Sequence, residues 1–169
     1  LSSVASAHFS LTHPYWRGDS FAAGRSQWNW PCSVSQENST NNRTEWPLDG
    51  GQLVFKGSHP WAYTYVNLGV GNNVTSFNVT LQEGFNQTGN GTFCFPKLGQ
   101  SAIAALNVTE GLNASIQVIQ ISHSGASLYN CADITFSSKA VALSQDVCKN
   151  STGVGGVELE NEGAQRSTS

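Results

Sequence analysis

Apolar and polar positions alternate through most of the chain. Thr75, Phe77, Val79 and Leu81 interleave with Ser76, Asn78 and Thr80, the two-residue period of a half-buried strand over 75–81. Ala114, Ile116 and Val118 begin another strand that ends near Ile121. Ser122 to Ala126 reads as a turn, and Leu128 to Phe136 as the returning strand. In that strand Leu128, Ala132, Ile134 and Phe136 share an apolar face, while Tyr129, Cys131, Asp133 and Thr135 share the other. Trp61, Tyr63 and Tyr65 lie on one more strand, followed by the turn residues Gly69-Val70-Gly71-Asn72. Ser101 to Leu106 is the best helical piece. Trp16, Trp28, Trp30 and Trp46 stand among Gly and Pro, which predicts that the first fifty residues are loops folded over a sheet edge. The pattern predicts an all-β fold, an immunoglobulin-like antiparallel β-sandwich with long loops and a short helix.

Composition sets the compartment. A length of 169 residues with 38% hydrophobic positions suits one domain with a real core. Only 11% of residues are charged, so solubility rests on hydroxyls, amides and sugars. Asn38, Asn42, Asn73, Asn78, Asn86, Asn90, Asn107, Asn113 and Asn150 each begin an N-x-S/T sequon, a density that points to secretion and a glycan-shielded surface. In that oxidising setting Cys32, Cys94, Cys131 and Cys148 are expected to form two disulfides, in any of three pairings. A net charge of −3 with eight Lys and Arg argues against nucleic acid as a partner. No apolar run is long enough to span a bilayer. From about Asn150 the chain turns to Gly, Ser, Glu and Gln, which predicts a disordered tail over 150–169.

The run Ala5-Ser6-Ala7-His8 has the small-x-small form of a signal-peptidase site. Residues 1–7 are then a signal-peptide remnant, the domain covers 8–149, and His8 is the first residue after cleavage. A free terminal histidine offers an α-amine and Nδ1 in one chelate ring. One further imidazole completes three nitrogens in a plane that suits Cu(II). His59, in Lys56-Gly57-Ser58-His59-Pro60-Trp61, follows a Gly-Ser turn at the mouth of a strand and is the expected second ligand. His13, five residues from His8, is a competitor, and His123 in Ser122-His123-Ser124-Gly125 reads as turn chemistry. Asp133 is the expected third ligand, since aspartate is disfavoured in strands and sits here two residues from a cysteine.

Several of these pieces resemble one family. They are His8-Phe9, Pro14 with Arg17-Gly18, Pro31-Cys32, Trp46-Pro47-Leu48 with Gly50, His59, Gly91 with Phe93-Cys94, and the Leu128 to Phe136 block. In order and spacing they are similar to the fungal copper acquisition factor Bim1 family, also called X325, over His8 to about Cys148. Ser33-Val34 departs from the two glycines common there, and His13 is not expected. The resemblance implies the fold and histidine brace of lytic polysaccharide monooxygenases, with one copper held by His8, His59 and Asp133. It further implies copper uptake at the cell surface without polysaccharide oxidation. A GPI anchor and a membrane copper transporter as partner belong to the same expectation, with the chain itself a monomer.

Asp133 as an anionic oxygen ligand would favour Cu(II) over Cu(I) and discourage oxygen activation. Two rival readings use the aromatics: a polysaccharide monooxygenase, or a carbohydrate-binding module whose platform is Trp28, Trp30, Trp46 and Trp61. No G-x-S-x-G motif appears, so a hydrolase of that type has no support.

Overall fold

A computed structural model describes residues 8–34 and 43–159. Residues 1–7, Asn38 and Asn42 lie outside them. Among the described residues nine strands and one helix run in the order β1 (Phe9–His13), β2 (Thr44–Trp46), β3 (Gly51–Gly57), β4 (Trp61–Val70), β5 (Val79–Thr88), β6 (Gly91–Leu98), α1 (Gln100–Leu106), β7 (Asn113–Ser122), β8 (Ser127–Phe136) and β9 (Gly155–Glu158). They form a three-stranded sheet, β1-β3-β6, and a six-stranded sheet, β2-β8-β7-β4-β5-β9. All pairings are antiparallel except the short β2, which runs parallel to β8. The sandwich read from the sequence is the fold.

The core follows from alternation. Ala114, Ile116 and Val118 on β7 and Leu128, Ala132, Ile134 and Phe136 on β8 meet Phe9, Leu11, Leu53, Phe55, Phe93 and Phe95 of the small sheet. Ile103 of α1 joins the same cluster. The opposite faces of β7 and β8 carry Ser115, Gln117, Cys131 and Asp133, also buried, because the long 14–34 segment folds across them. Gln117 Nε2 donates to Pro31 O at 3.0 Å, and Arg17 N donates to Cys131 O at 2.7 Å. The cysteines pair as Cys32–Cys131, which fastens that segment to β8, and Cys94–Cys148.

Three sequence expectations need correcting. The strand over 75–81 begins only at Val79. Before it, Val74 to Ser76 press onto Gly69, where an added Cβ would meet Val74 Cγ1 and the Ser76 carbonyl, so that stretch folds back instead of pairing. The first fifty residues are not all loop: Phe9 and Leu11 alternate into the core on β1, and β2 delivers Trp46, which is fully buried. The stretch expected to be a disordered tail holds defined structure over 150–159, and its remainder, 160–169, lies outside the described residues. Cys94 N donates to Asn150 Oδ1 at 2.9 Å, Thr92 N to Ser151 Oγ at 2.9 Å, and β9 pairs with β5. Local hydrogen bonds and an open strand edge thus order a stretch whose composition alone reads as a linker. Among the sequons, Asn73, Asn78, Asn90, Asn107 and Asn150 are exposed, while Asn86 and Asn113 are half-buried.

Candidate metal centre

His8 precedes β1, and Ser58 precedes His59 in the turn between β3 and β4. The two segments are stitched together. Ser58 N donates to His8 O at 3.0 Å, Ser58 Oγ donates to the same carbonyl at 2.9 Å, and His8 N lies 3.0 Å from Ser58 Oγ. One residue on, the start of β1 is clamped. Phe9 N donates to Gln27 Oε1 at 3.2 Å, while Gln27 Nε2 at 2.7 Å and Asn130 Nδ2 at 2.8 Å both donate to Phe9 O. The His8 ring faces Phe21 with centroids 5.2 Å apart. It borders two surface hollows, which also include the cations Arg25 and Lys56.

His59 is 1% exposed and sits at the end of the core, between the sheets. A hydrogen-bond chain fixes its tautomer. Thr64 Oγ1 donates to Ala62 O at 3.2 Å, so it accepts from Gln120 Nε2 at 3.0 Å. Gln120 Oε1 is thereby turned to His59 Nε2 at 2.8 Å and accepts its proton. The lone pair is left on Nδ1, which is buried and has no hydrogen-bond partner. Burial holds this imidazole below its usual pKa, a lowering that the Gln120 bond opposes in part, so the ring is neutral near pH 7. Gly57 packs closely beside it: a Cβ there would stand 3.2 Å from His59 Nε2, tighter than an ordinary contact. A neutral ring with an unused, buried lone pair has the chemistry of a metal ligand.

Asp133 does not join the two histidines. It pairs with Ser115 on the outer face of the large sheet, whereas Gln120, the partner of His59, lies five positions along β7 on the inner face. That is about 17 Å along the strand and on the far side of the sheet. Both carboxylate oxygens are already engaged. Arg17 Nη2 reaches Oδ1 at 2.9 Å, Arg17 Nε reaches Oδ2 at 3.0 Å, and Ser115 Oγ donates to Oδ1 at 2.6 Å. Strand alternation was enough to take Asp133 off the core face. It could not show that a segment more than a hundred residues away supplies an arginine for it.

His13 ends the five-residue β1 at whose start His8 lies, so the two histidines stand at opposite ends of that strand. His123 is in the β7–β8 turn, edge-on to Trp61 at 6.5 Å. Among the described residues no three His, Cys, Asp or Glu side chains are grouped to hold a metal. Cleavage before His8 would add an amine to the imidazoles of His8 and His59, whose chain segments meet through Ser58. Gln27, Asn130, Gln120 and Thr64 were not singled out in the sequence. Their only signal there is a polar residue on an otherwise apolar strand face, visible for Gln120 and Asn130.

Comparison with known proteins decides the family. The family model for a copper acquisition factor BIM1-like domain matches residues 6–153. The chain belongs to the copper acquisition factor BIM1-like family. Among curated relatives, a lytic polysaccharide monooxygenase-like protein ham-7 of Neurospora crassa is 34% identical, over 94% of this chain and 78% of its own length. A lytic polysaccharide monooxygenase-like protein X325 of Hypocrea jecorina is 31% identical over 94% and 78%. Another lytic polysaccharide monooxygenase-like protein, of Emericella nidulans, is 37% identical over 65% of this chain and 48% of its own length. Membership in a BIM1-like family gives the chain a copper-related role. Its two disulfides and LPMO-like sandwich agree with that placement.

Proposed function

We propose that this chain captures Cu(II) outside the cell and passes it on at the cell surface. One ion is held by the amine and Nδ1 of His8 and by Nδ1 of His59, once residues 1–7 have been removed. The observation that supports this best is the buried, unpartnered Nδ1 of His59, in a turn bonded to His8 through Ser58. Nitrogen donors of this kind suit Cu(II). Gln120 and Thr64 hold the His59 lone pair ready, and Gln27 and Asn130 hold the strand that carries His8.

Asp133 supplies no ligand in this reading. The argument that an anionic ligand suppresses oxygen chemistry therefore lapses, and a carrier role rests on the family. Secretion and a glycan coat complete the proposal, supported by the sequons and the small-x-small site before His8, while a GPI anchor and a membrane transporter as acceptor rest on the family resemblance alone.

Copper titration followed by EPR tests it, on protein beginning at His8 and on protein that keeps residues 1–7. Tight one-to-one binding with nitrogen couplings is expected only in the first. Equal binding in both forms would refute the role of the amine. Acid should release the metal, since the amine titrates near a reference pKa of about 7.7–8.0 and must lose its proton to bind.

A further inference from the structure

On the outer face of the large sheet the 14–34 segment walls a cleft of about 510 Å³, which shares Trp28 with the hollow beside His8. Arg17 lies at its floor, with Trp28, Trp30, Pro31 and Ser33 around it. The volume falls within the roughly 300–1,000 Å³ of small-molecule sites. Arg17 is 3% exposed, and its Nε and Nη2 are spent on Asp133 and Ser115, yet Nη1 is buried without any hydrogen-bond partner. A buried donor left unmade is costly, and such groups are rare in folded proteins. Beside it stand two indoles that burial does not explain, Trp28 at 69% and Trp30 at 61% exposure.

The cleft is built to keep its shape. Trp30 meets Tyr129 edge-on, with centroids 5.3 Å apart and planes at 89°. The rim is pinned by Cys32–Cys131, by Gln117 Nε2 donating to Pro31 O, and by Ser33 Oγ donating to Asn130 Oδ1 at 3.3 Å. A site already ordered in the free protein loses little entropy on binding.

The chemistry of the walls selects the occupant. Exposed indoles beside a polar floor suit a ring with an apolar C–H face and polar edges, which describes a pyranose. The Arg17 charge is already matched by Asp133, so an anionic ligand would approach a carboxylate for no net charge gain. Nη1 needs an uncharged acceptor. An amide carbonyl serves better than a hydroxyl, because it brings no proton that would need an acceptor of its own.

We propose that this cleft binds an uncharged, N-acetylated pyranose, with the acetamido carbonyl on Arg17 Nη1 and the ring against Trp30 and Trp28. This chemistry has two sources: a free β-linked N-acetylglucosamine chain, or the innermost sugar of an N-linked glycan, for which the chain itself has nine sequons. The site uses neither histidine, so its test does not depend on the copper reading.

Calorimetric titration of the full chain tests it, using the β1,4-linked trimer of N-acetylglucosamine beside the trimer of glucose. Saturable binding of the acetylated trimer is expected, weakened at least about tenfold in Trp30→Ala and unchanged in Tyr63→Ala. Trp30 is exposed, so its replacement leaves the core intact. Equal affinity for the glucose trimer, no heat at tens of millimolar sugar, or an unaffected Trp30→Ala would each overturn the proposal. Protein carrying its N-glycans separates the sources. Binding that appears only after enzymatic glycan removal assigns the cleft to the chain's own sugar, and binding in both forms assigns it to an external one.

Discussion

Two side chains decide how the residues divide their work. Arg17 and Asp133 make a two-pronged ion pair with both partners almost fully buried. Asp133→Asn strands a buried guanidinium, and a loss of about 3–5 kcal/mol is expected in chemical denaturation. The EPR spectrum of copper-loaded, folded Asp133→Asn should match the wild type, which a ligand role would not allow. His59 is governed by its network. Thr64→Val removes the acceptor of Gln120 Nε2, and a destabilisation of about 1–3 kcal/mol is expected for the unmade bond. Long-range nitrogen–proton NMR should report the Nε2–H tautomer in the wild type. His59 and His13 both have pKa values lowered by burial, so the unfolded chain takes up their protons first as pH falls. Their contribution to stability is full above about pH 6.5 and is lost as pH drops through the lowered values, with Tm against pH as the readout. The places of His8 before β1 and His59 in the turn before β4 were legible in the sequence. The carboxylate was not, because its partner is a long-range contact that no local pattern encodes.

Elements were read well where alternation was strict. β7 and β8 place the same residues on the same faces as the period of two requires, and Gln120 marks where the inner face turns polar next to His59. Reading failed at β9, which has two glycines and mostly exposed positions and shows no alternation strong enough to be seen. Its order comes from neighbours: β5 pairs with it, and Cys94–Cys148 holds the chain just before it. That crosslink spans 54 residues, so loop-closure entropy assigns it about 4 kcal/mol. Replacing both cysteines with serine should cost up to that amount, and hydrogen exchange at 155–158 should rise more than in β7 or β8.

At the scale of the whole molecule, the 14–34 segment links the two sheets. It leaves β1 in the small sheet, passes Trp16 beside Ala132 at the rim of β8, and covers the outer face of the large one. The same segment supplies Gln27 to the His8 side and Arg17 to the cleft, so one loop sets two separate sites. The large sheet also ends on small strands: three residues of β2 on one side, four of β9 on the other. Short borders of this kind offer little template for another chain to pair with. Were β9 missing, the four positions of β5 that it pairs, Phe85 to Thr88, would lose their partner and lengthen the open border of that strand. Deleting 155–159 is therefore expected to promote self-association, seen as faster-sedimenting species that grow with protein concentration. β9 would then act less as a support for any site than as a guard on solubility.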